Sequence, residues 1–252
     1  MDSVYPSSHE LTYILYKLTK LTLYGIIKIR MYSGDYMYKC VIFDLDGTLL
    51  DTLEDLADAG NYALKLLGLP LHETEEFKYF VGNGIPKLIE RILPSNSNDD
   101  LQRSAYEFFS SYYSSHSACK TMPYAGICEL LSKLKADGVK TGVASNKDHG
   151  FSESLVKNFF GDTIQVVCGR KKGAPKKPDP FSVNYIIEQL KANKNETLYV
   201  GDSDVDMETA VNAGLDSCGV LWGFRTETEL RESGAKFIVN NTDELYQLIN
   251  NS

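Results

Sequence analysis

Acidic residues gather twice in this chain, each time behind a short apolar run. Cys40-Val41-Ile42-Phe43 leads into Asp44-Leu45-Asp46-Gly47-Thr48, and Leu198-Tyr199-Val200 leads into Gly201-Asp202-Ser203-Asp204-Val205-Asp206. A β-branched and aromatic run ending in carboxylates and glycine reads as a buried strand that delivers acids to a loop at its carboxyl end. Side chains alternate along extended backbone, so Asp44 and Asp46 start on the same side, and Gly47 lets the chain turn sharply behind them. Two acids therefore share one small volume. Two more polar groups follow predicted strands. Ser145-Asn146-Lys147 offers a hydroxyl and an amide for phosphate oxygens, and the stretch from Lys171 to Pro180 concentrates cations in an otherwise acidic protein.

The elements that must position these groups alternate. Leu53, Leu56, Ala57, Gly60, Ala63, Leu64 and Leu67 fall at helical spacing, with Asp51 or Thr52 as cap and Gly68 as stop. From residue 73 to about 117 the pattern stays helical, with a polar break at Ser95-Asn96-Ser97-Asn98, which reads as an inserted all-helical unit. Beyond Pro123 helix and strand alternate: a helix through Leu134, strands at Val139 to Ala144, Ile164 to Cys168, Leu198 to Val200, Cys218 to Leu221 and Lys236 to Val239, with helices between. This pattern predicts an α/β fold, a three-layer parallel sheet core whose ligand site lies beyond the carboxyl ends of the strands. The expected division is a core of residues 37–52 and 122–252, a helical insertion over 53–121, and an extension over 1–36.

The 252 residues, 43% hydrophobic and 24% charged, have the composition of a soluble globular protein with a real core. A formal charge of −8 argues against nucleic acid as the main partner, because neutralising phosphates needs a basic patch. Cys40, Cys119, Cys128, Cys168 and Cys218 are widely spaced without a CxxC pair, so reduced thiols in a cytoplasmic chain are expected. His9, His72, His116 and His149 lack metal-ligand spacing and are expected at the surface. Lys17, Lys20, Lys28 and Arg30 interrupt every apolar run before Met37, which speaks against a signal peptide or a membrane span. Leu11, Ile14, Leu15, Leu18 and Ile29 at helical spacing leave an interfacial helix as the alternative to a segment outside the domain.

Taken in order, these motifs resemble those of the haloacid dehalogenase superfamily of phosphotransferases. Asp44-Leu45-Asp46-Gly47-Thr48 matches the first motif, Ser145 the second, Lys177 before Pro178 the third, and Gly201-Asp202 with Asp206 the fourth. The helical unit looks like a C1-type cap, and Asp51-Thr52-Leu53, Val81-Gly82-Asn83-Gly84, Lys177-Pro178-Asp179-Pro180 and Asn212-Ala213-Gly214 are similar to segments of phosphoglycolate phosphatases. Ser145 stands where many of these enzymes have Thr, a change that keeps the hydroxyl. The resemblance implies a Mg²⁺-dependent phosphomonoesterase acting on a small phosphorylated metabolite, with no partner protein. It makes Asp44 the nucleophile that forms an aspartyl-phosphate and Asp46 the acid and base. It makes Asp44, Asp202 and the Asp46 carbonyl the metal ligands, with Asp206 at or behind them. Thr48, Ser145, Asn146, Lys177 and Asn83 would meet the substrate.

Two acids suit such chemistry, since one carboxylate cannot be nucleophile and proton donor at once. Crowded carboxylates also repel by roughly 4 kcal/mol per pair at 4 Å and an effective dielectric near 20, and an all-oxygen donor set favours Mg²⁺ as the remedy. Each motif alone is equally at home as a turn or a helix cap. Lys171, Lys172 and Lys176 are expected to be solvated. Asn83, Lys87 and Arg91 are the insertion's candidates for substrate contact, against a plain helix start with Arg91 exposed, and Trp222, Phe224 and Arg225 are candidates for the entrance. Alternatives are a phosphatase for pyrophosphate, a sugar phosphate or a nucleotide, a mutase similar to the β-phosphoglucomutases, and a non-catalytic phosphate-binding regulatory module. Thr48 leans against the mutase, which usually has Val there. A chain starting at Met37 should fold and keep full activity; a soluble but inactive truncation would overturn the reading of residues 1–36.

Overall fold

The computed structural model describes residues 38–250, so the amphipathic pattern before Met37 lies outside the described residues, as does His9. Strand β1 (Cys40–Phe43) runs into the acidic loop, which closes on β2 (Leu50–Asp51). Four helices follow: α1 (Leu53–Leu66), α2 (Phe77–Phe80), α3 (Ile85–Ile92) and α4 (Asp99–His116). The chain returns through β3 (Met122–Pro123) and then alternates: α5 (Ile127–Ala136), β4 (Lys140–Asp148), α6 (His149–Phe160), β5 (Val166–Arg170), α7 (Phe181–Leu190), β6 (Thr197–Gly201), α8 (Asp204–Ala213), β7 (Asp216–Val220), α9 (Glu227–Glu232), β8 (Phe237–Val239) and α10 (Thr242–Asn250).

The sheet is wholly parallel in the order β5-β4-β1-β6-β7-β8. Strand β1 is apolar throughout because both its faces are covered. Val41 and Phe43 pack into one cluster with residues of α5, α6 and α10, whereas Cys40 and Ile42 pack into another with residues of α7 and α8. These are the three expected layers. All five cysteines are free thiols. No helix among the described residues is long and apolar enough to cross a membrane.

Two strands run two residues or more past their expected carboxyl ends, and β7 starts at Asp216 rather than Cys218. Strand β4 continues past Ala144 to Asp148, because after an irregularity in register Asp148 pairs with Arg170; the polar residues 145–148 stay extended at the end of the sheet. For the same reason β5 runs to Arg170 rather than stopping at Cys168. Leu50–Asp51 and Met122–Pro123, read from sequence only as joints, are a two-stranded antiparallel ribbon with Leu50 opposite Pro123 and Asp51 opposite Met122.

Helices α1 to α4 bury their own apolar faces together, with Leu56, Phe77, Ile89, Phe109 and Tyr113 among the contributors and Phe224 inserted from the sheet side. The break at Ser95 to Asn98 is a cap, since Asn98 Oδ1 accepts from Leu101 N at 2.9 Å. His72 is half-buried rather than on the surface, its Nε2 lying 2.9 Å from the Ile92 carbonyl. Asp55 fastens the outgoing chain to the returning one: its buried carboxylate accepts from Lys120 N, Thr121 N and Thr121 Oγ1 at 2.7 to 3.1 Å. Hydrogen bonds to a charged group are worth about 1.5–3 kcal/mol each, and their donors would be left buried. Asp55→Ala should therefore lower stability by about 3 kcal/mol or more in urea unfolding; a loss under about 1 kcal/mol would show that the ribbon holds without this clasp.

Candidate active site

Phe43 pairs with Val143 on one side and Val200 on the other, so the carboxyl ends of β1, β4 and β6 finish side by side. Asp44, Ser145 and Asp202 emerge there, and all three are buried. Asp44 N still bonds to the Val200 carbonyl at 2.9 Å, after which the Leu45 carbonyl gathers the amides of Leu49 and Leu50 at 3.1 and 3.0 Å and folds the loop back. Gly47 is needed twice over. Its φ is +87°, and a Cβ there would stand 2.2 Å from Asp202 Oδ2. Gly223 meets the same residue, since a Cβ there would lie 2.2 Å from Asp202 Cβ and 2.5 Å from the Gly47 carbonyl oxygen.

Lys177 is threaded between two acids. Its ammonium lies 2.8 Å from Asp44 Oδ1 and 2.7 Å from Asp206 Oδ1, and it donates to Tyr199 Oη at 3.2 Å. Burial pulls its pKa down, but Asp206 and Asp44 outweigh burial and hold it above the ordinary lysine range. Asp206 is fully engaged. Lys177 and Tyr199 donate to Oδ1, and Ser203 N and Oγ donate to Oδ2 at 3.1 and 2.6 Å. It thus stands behind Lys177, while Asp202 is gripped by Thr48 Oγ1 and Phe224 N, both at 2.9 Å.

Asp46 faces a second buried lysine. Lys147 Nζ donates to Asp46 Oδ1 at 2.9 Å and lies over the ring of Tyr113 from α4, 4.9 Å from its centroid. Burial lowers the Lys147 pKa, and Asp46 and Tyr113 more than restore it. A cavity of about 30 Å³ opens between Asp44, Asp46, Ser145 and Lys147 on the sheet side and Leu56, Val81, Gly82, Gly84, Ile85 and Leu88 on the helical side.

The other predicted groups are distributed less simply. Asn146, expected at the phosphate, spends its amide on bracing: Nδ2 donates to the carbonyls of Gly82 and Lys177 at 3.0 and 3.2 Å, and Oδ1 accepts from Lys177 N at 2.9 Å. It ties the lysine loop and the insertion to β4. Thr48 is likewise turned to Asp202. Asn83 Oδ1 accepts from Arg91 Nη2 at 2.8 Å, so those two insertion candidates hold each other. Lys87 pairs with Glu90 at the surface, and Lys171, Lys172 and Lys176 are exposed. The sequence reading missed Lys147 and Tyr113 as site residues. Lys147 directly follows the Ser145-Asn146 pair, which is signal enough to list it; nothing in the sequence distinguishes Tyr113 from its aromatic neighbours on α4.

Four carboxylates, Asp44, Asp46, Asp202 and Asp206, face two ammonium groups, leaving two negative charges unmatched. Burial first and then the Asp206 charge raise Asp44 well above the carboxylate range and push Asp202 up to about 7. Asp44 Oδ1 is held by the Lys177 ammonium through an ion pair at 2.8 Å. One oxygen each of Asp44, Asp202 and Asp206 lie within 4.8 Å of one another, an arrangement able to hold a metal ion. An all-carboxylate donor set and a surplus of two negative charges fit a hard divalent cation.

A parallel sheet with acids at the ends of adjacent strands and a lysine between them defines a class. The chain belongs to the haloacid dehalogenase-like hydrolases, whose family model matches residues 41–220, and it is an enzyme on the phosphatase side of that family. It is 32% identical over 218 residues to the phosphoglycolate phosphatase of Vibrio parahaemolyticus, a match covering 84% of this chain and 96% of that protein. It is 34% identical over 201 residues to the enzyme of the same name from Psychrobacter arcticus, covering 76% and 87%. A crystal structure from Lactobacillus delbrueckii subsp. bulgaricus, provisionally given that name too, superposes with a TM-score of 0.81 at 32% identity, covering 84% of this chain and 98% of that one.

The raised Asp202 carboxyl has a measurable consequence. Its folded pKa of about 7 lies above its ordinary value of 3.8, so between these values the folded state holds a proton that the unfolded state has released, and stability is lost as pH rises. In chelator, Asp202→Asn should match the native chain near pH 4 and become progressively the more stable of the two up to about pH 7, as read by urea unfolding. A stability difference independent of pH would refute the raised value.

Proposed function

We propose that this protein is a Mg²⁺-dependent phosphomonoesterase that hydrolyses a small phosphorylated metabolite, phosphoglycolate foremost, through an aspartyl-phosphate. The observation that carries the reading is the buried Asp44 carboxylate, paired with Lys177 at the edge of a cavity that it shares with Asp46. Asp44 Oδ attacks phosphorus, and the bond to the ester oxygen breaks. Asp46 gives its proton to the departing alkoxide, then takes one from the water that attacks the acyl phosphate, releasing inorganic phosphate and restoring both acids.

Lys177 neutralises the nucleophile's charge and, with the Ser145 hydroxyl, stabilises the phosphoryl oxygens in transfer. The magnesium ion, held by Asp44, Asp202 and the Asp46 carbonyl, would supply the positive charge that lets a phosphate dianion approach two carboxylates. The helical side excludes bulk water from the cavity through Leu56, Val81, Ile85 and Leu88. The names of the relatives and the small cavity both support a leaving group of few atoms.

Three outcomes test the reading. Asp44→Asn should lower kcat by roughly 10⁴-fold or more without unfolding the chain, and unaltered turnover would reject covalent catalysis. Chelator should abolish hydrolysis and Mg²⁺ restore it. On a panel of phosphoglycolate, sugar phosphates, nucleotides and pyrophosphate, phosphoglycolate should give the highest kcat/KM; its appearance among the poorest would remove it as the substrate.

A further inference from the structure

The stretch from Trp222 to Arg225, between β7 and α9, has no task in the proposed hydrolysis, and none of its residues lines the cavity over Asp44 and Asp46. It is instead joined to three parts of the molecule. Trp222 Nε1 donates to the Thr48 carbonyl at 2.9 Å, Phe224 N holds Asp202 while the Phe224 ring is buried in the insertion's own core, and Arg225 Nη1 donates to the insertion's backbone at the Lys78 carbonyl.

That last contact falls at the end of a helix. Helix α2 is a single turn, Phe77–Phe80, too short to persist without tertiary support. The last carbonyls of a helix have no partner within it, and an arginine can supply one while its charge suits the negative end. Two arginines do so here: Arg91 Nη1 donates to the Phe80 carbonyl at 3.0 Å, and Arg225 to that of Lys78. Arg91 belongs to the insertion and Arg225 does not. The end of α2 is therefore completed by a side chain from the sheet side. Arg225 is itself well held, with a side chain only 9% exposed, Nε 3.6 Å from Asp204 Oδ1 on α8, and the guanidinium 5.2 Å from the centroid of the Tyr79 ring.

The residues that follow α2 form the helical side of the cavity, through Val81, Gly82, Gly84 and Ile85. Asn146 meets this stretch at the Gly82 carbonyl, and the exposed Lys176 reaches the Asn83 carbonyl only at 3.5 Å. With Arg225 the stretch is held from the sheet side both before and after Val81. All three contacts are to carbonyls, so they depend on where the backbone runs and not on which side chains the insertion carries.

We propose that Arg225 is a positioning residue, which seats residues 78–85 over Asp44 and Asp46 by completing the carboxyl end of α2. It touches no reacting group. The seating itself is independent of the chemistry, whereas its effect on turnover rests on the hydrolytic reading given above.

Hydrogen exchange of the full chain in chelator reads the seating. Val81 N bonds to the Phe77 carbonyl, and Lys87 N and Leu88 N bond to the Gly84 carbonyl, so these three amides report on the stretch. One hydrogen bond from a charged donor shifts a local opening by about tenfold or more. Arg225→Met should therefore speed exchange at the three amides about tenfold or more, through an opening insensitive to low urea, and Arg225→Lys should recover part of the protection. Unchanged exchange, or a rise seen only through urea-sensitive global unfolding, overturns the proposal. Where Arg225→Met does not fold, the decision falls to Tyr79→Ala, at an exposed position: it should speed the same amides about two- to fivefold, and unchanged exchange there overturns the proposal as well. In turnover, a wall misplaced away from the reacting atoms costs up to about 10²-fold. With Mg²⁺, kcat/KM for phosphoglycolate should fall about tenfold or more in Arg225→Met and less in Arg225→Lys; an unaltered value beside faster exchange overturns the positioning role. Exchange that depends on Arg225, in a chain that hydrolyses no phosphate ester, would instead retain the seating and remove the hydrolytic reading.

Discussion

Four carboxylates brought into one buried volume repel one another, and nearly everything around the site follows from how that repulsion is met. At effective dielectrics near 20 each close pair costs roughly 4 kcal/mol, which is comparable to a large part of a domain's net stability. Lys177 answers it in part by standing between Asp44 and Asp206. Asp206 is the fixed end of that arrangement, with Tyr199 and Ser203 filling its remaining acceptor capacity, so the lysine is held in place rather than merely attracted. Thr48 and Phe224 perform the same service for Asp202. The charge that stays unmatched is negative, and a divalent cation would neutralise it. Burial first, and that incomplete neutralisation second, raise the carboxyl pKa values of Asp44 and Asp202.

The parallel sheet makes this crowding possible. Because β1 lies between β4 and β6, three strand ends point the same way with neighbouring registers, and residues separated by more than a hundred positions become adjacent. The insertion does not join the sheet. It leaves and returns through the β2–β3 ribbon and presses its apolar side toward the strand ends, where Asn146 is bonded to Gly82 on one side and Lys177 on the other. One amide thereby couples the position of the insertion to the position of the Lys177 loop.

Much of this was legible in the sequence because it rests on local rules. Alternation of helix and strand, continuous apolar runs for doubly covered strands, and Gly47 behind two acids all have short-range signatures. The motif order then brought Asp44, Ser145, Lys177 and Asp202 together on paper as the sheet does in space. What was illegible depends on long-range partners. The turning of Thr48 toward Asp202, the engagement of Asn146 by two loops and the pairing of Asn83 with Arg91 are each settled by a residue far away in the chain or by a competing neighbour. Lys147 was hidden by its own ordinariness: a lysine after a strand end normally reaches solvent, and only the arrival of Tyr113 from α4 encloses it. The two-residue ribbon is too short for any periodicity to reveal.

The Asp55 clasp and the ribbon beside it bear on how such a protein can change over generations. Since the insertion begins and ends at one point, the sheet experiences it as a single closed loop, whose entropic cost grows by only about 0.6 kcal/mol for each doubling of length. Its length and apolar lining can drift widely before the sheet loses its fold, provided the clasp survives. The chemistry is inherited with the strands, and novelty is cheap in the helices. A lineage carrying this architecture can therefore rewrite the insertion while keeping the strands, with Asn146 marking where the two must stay in step.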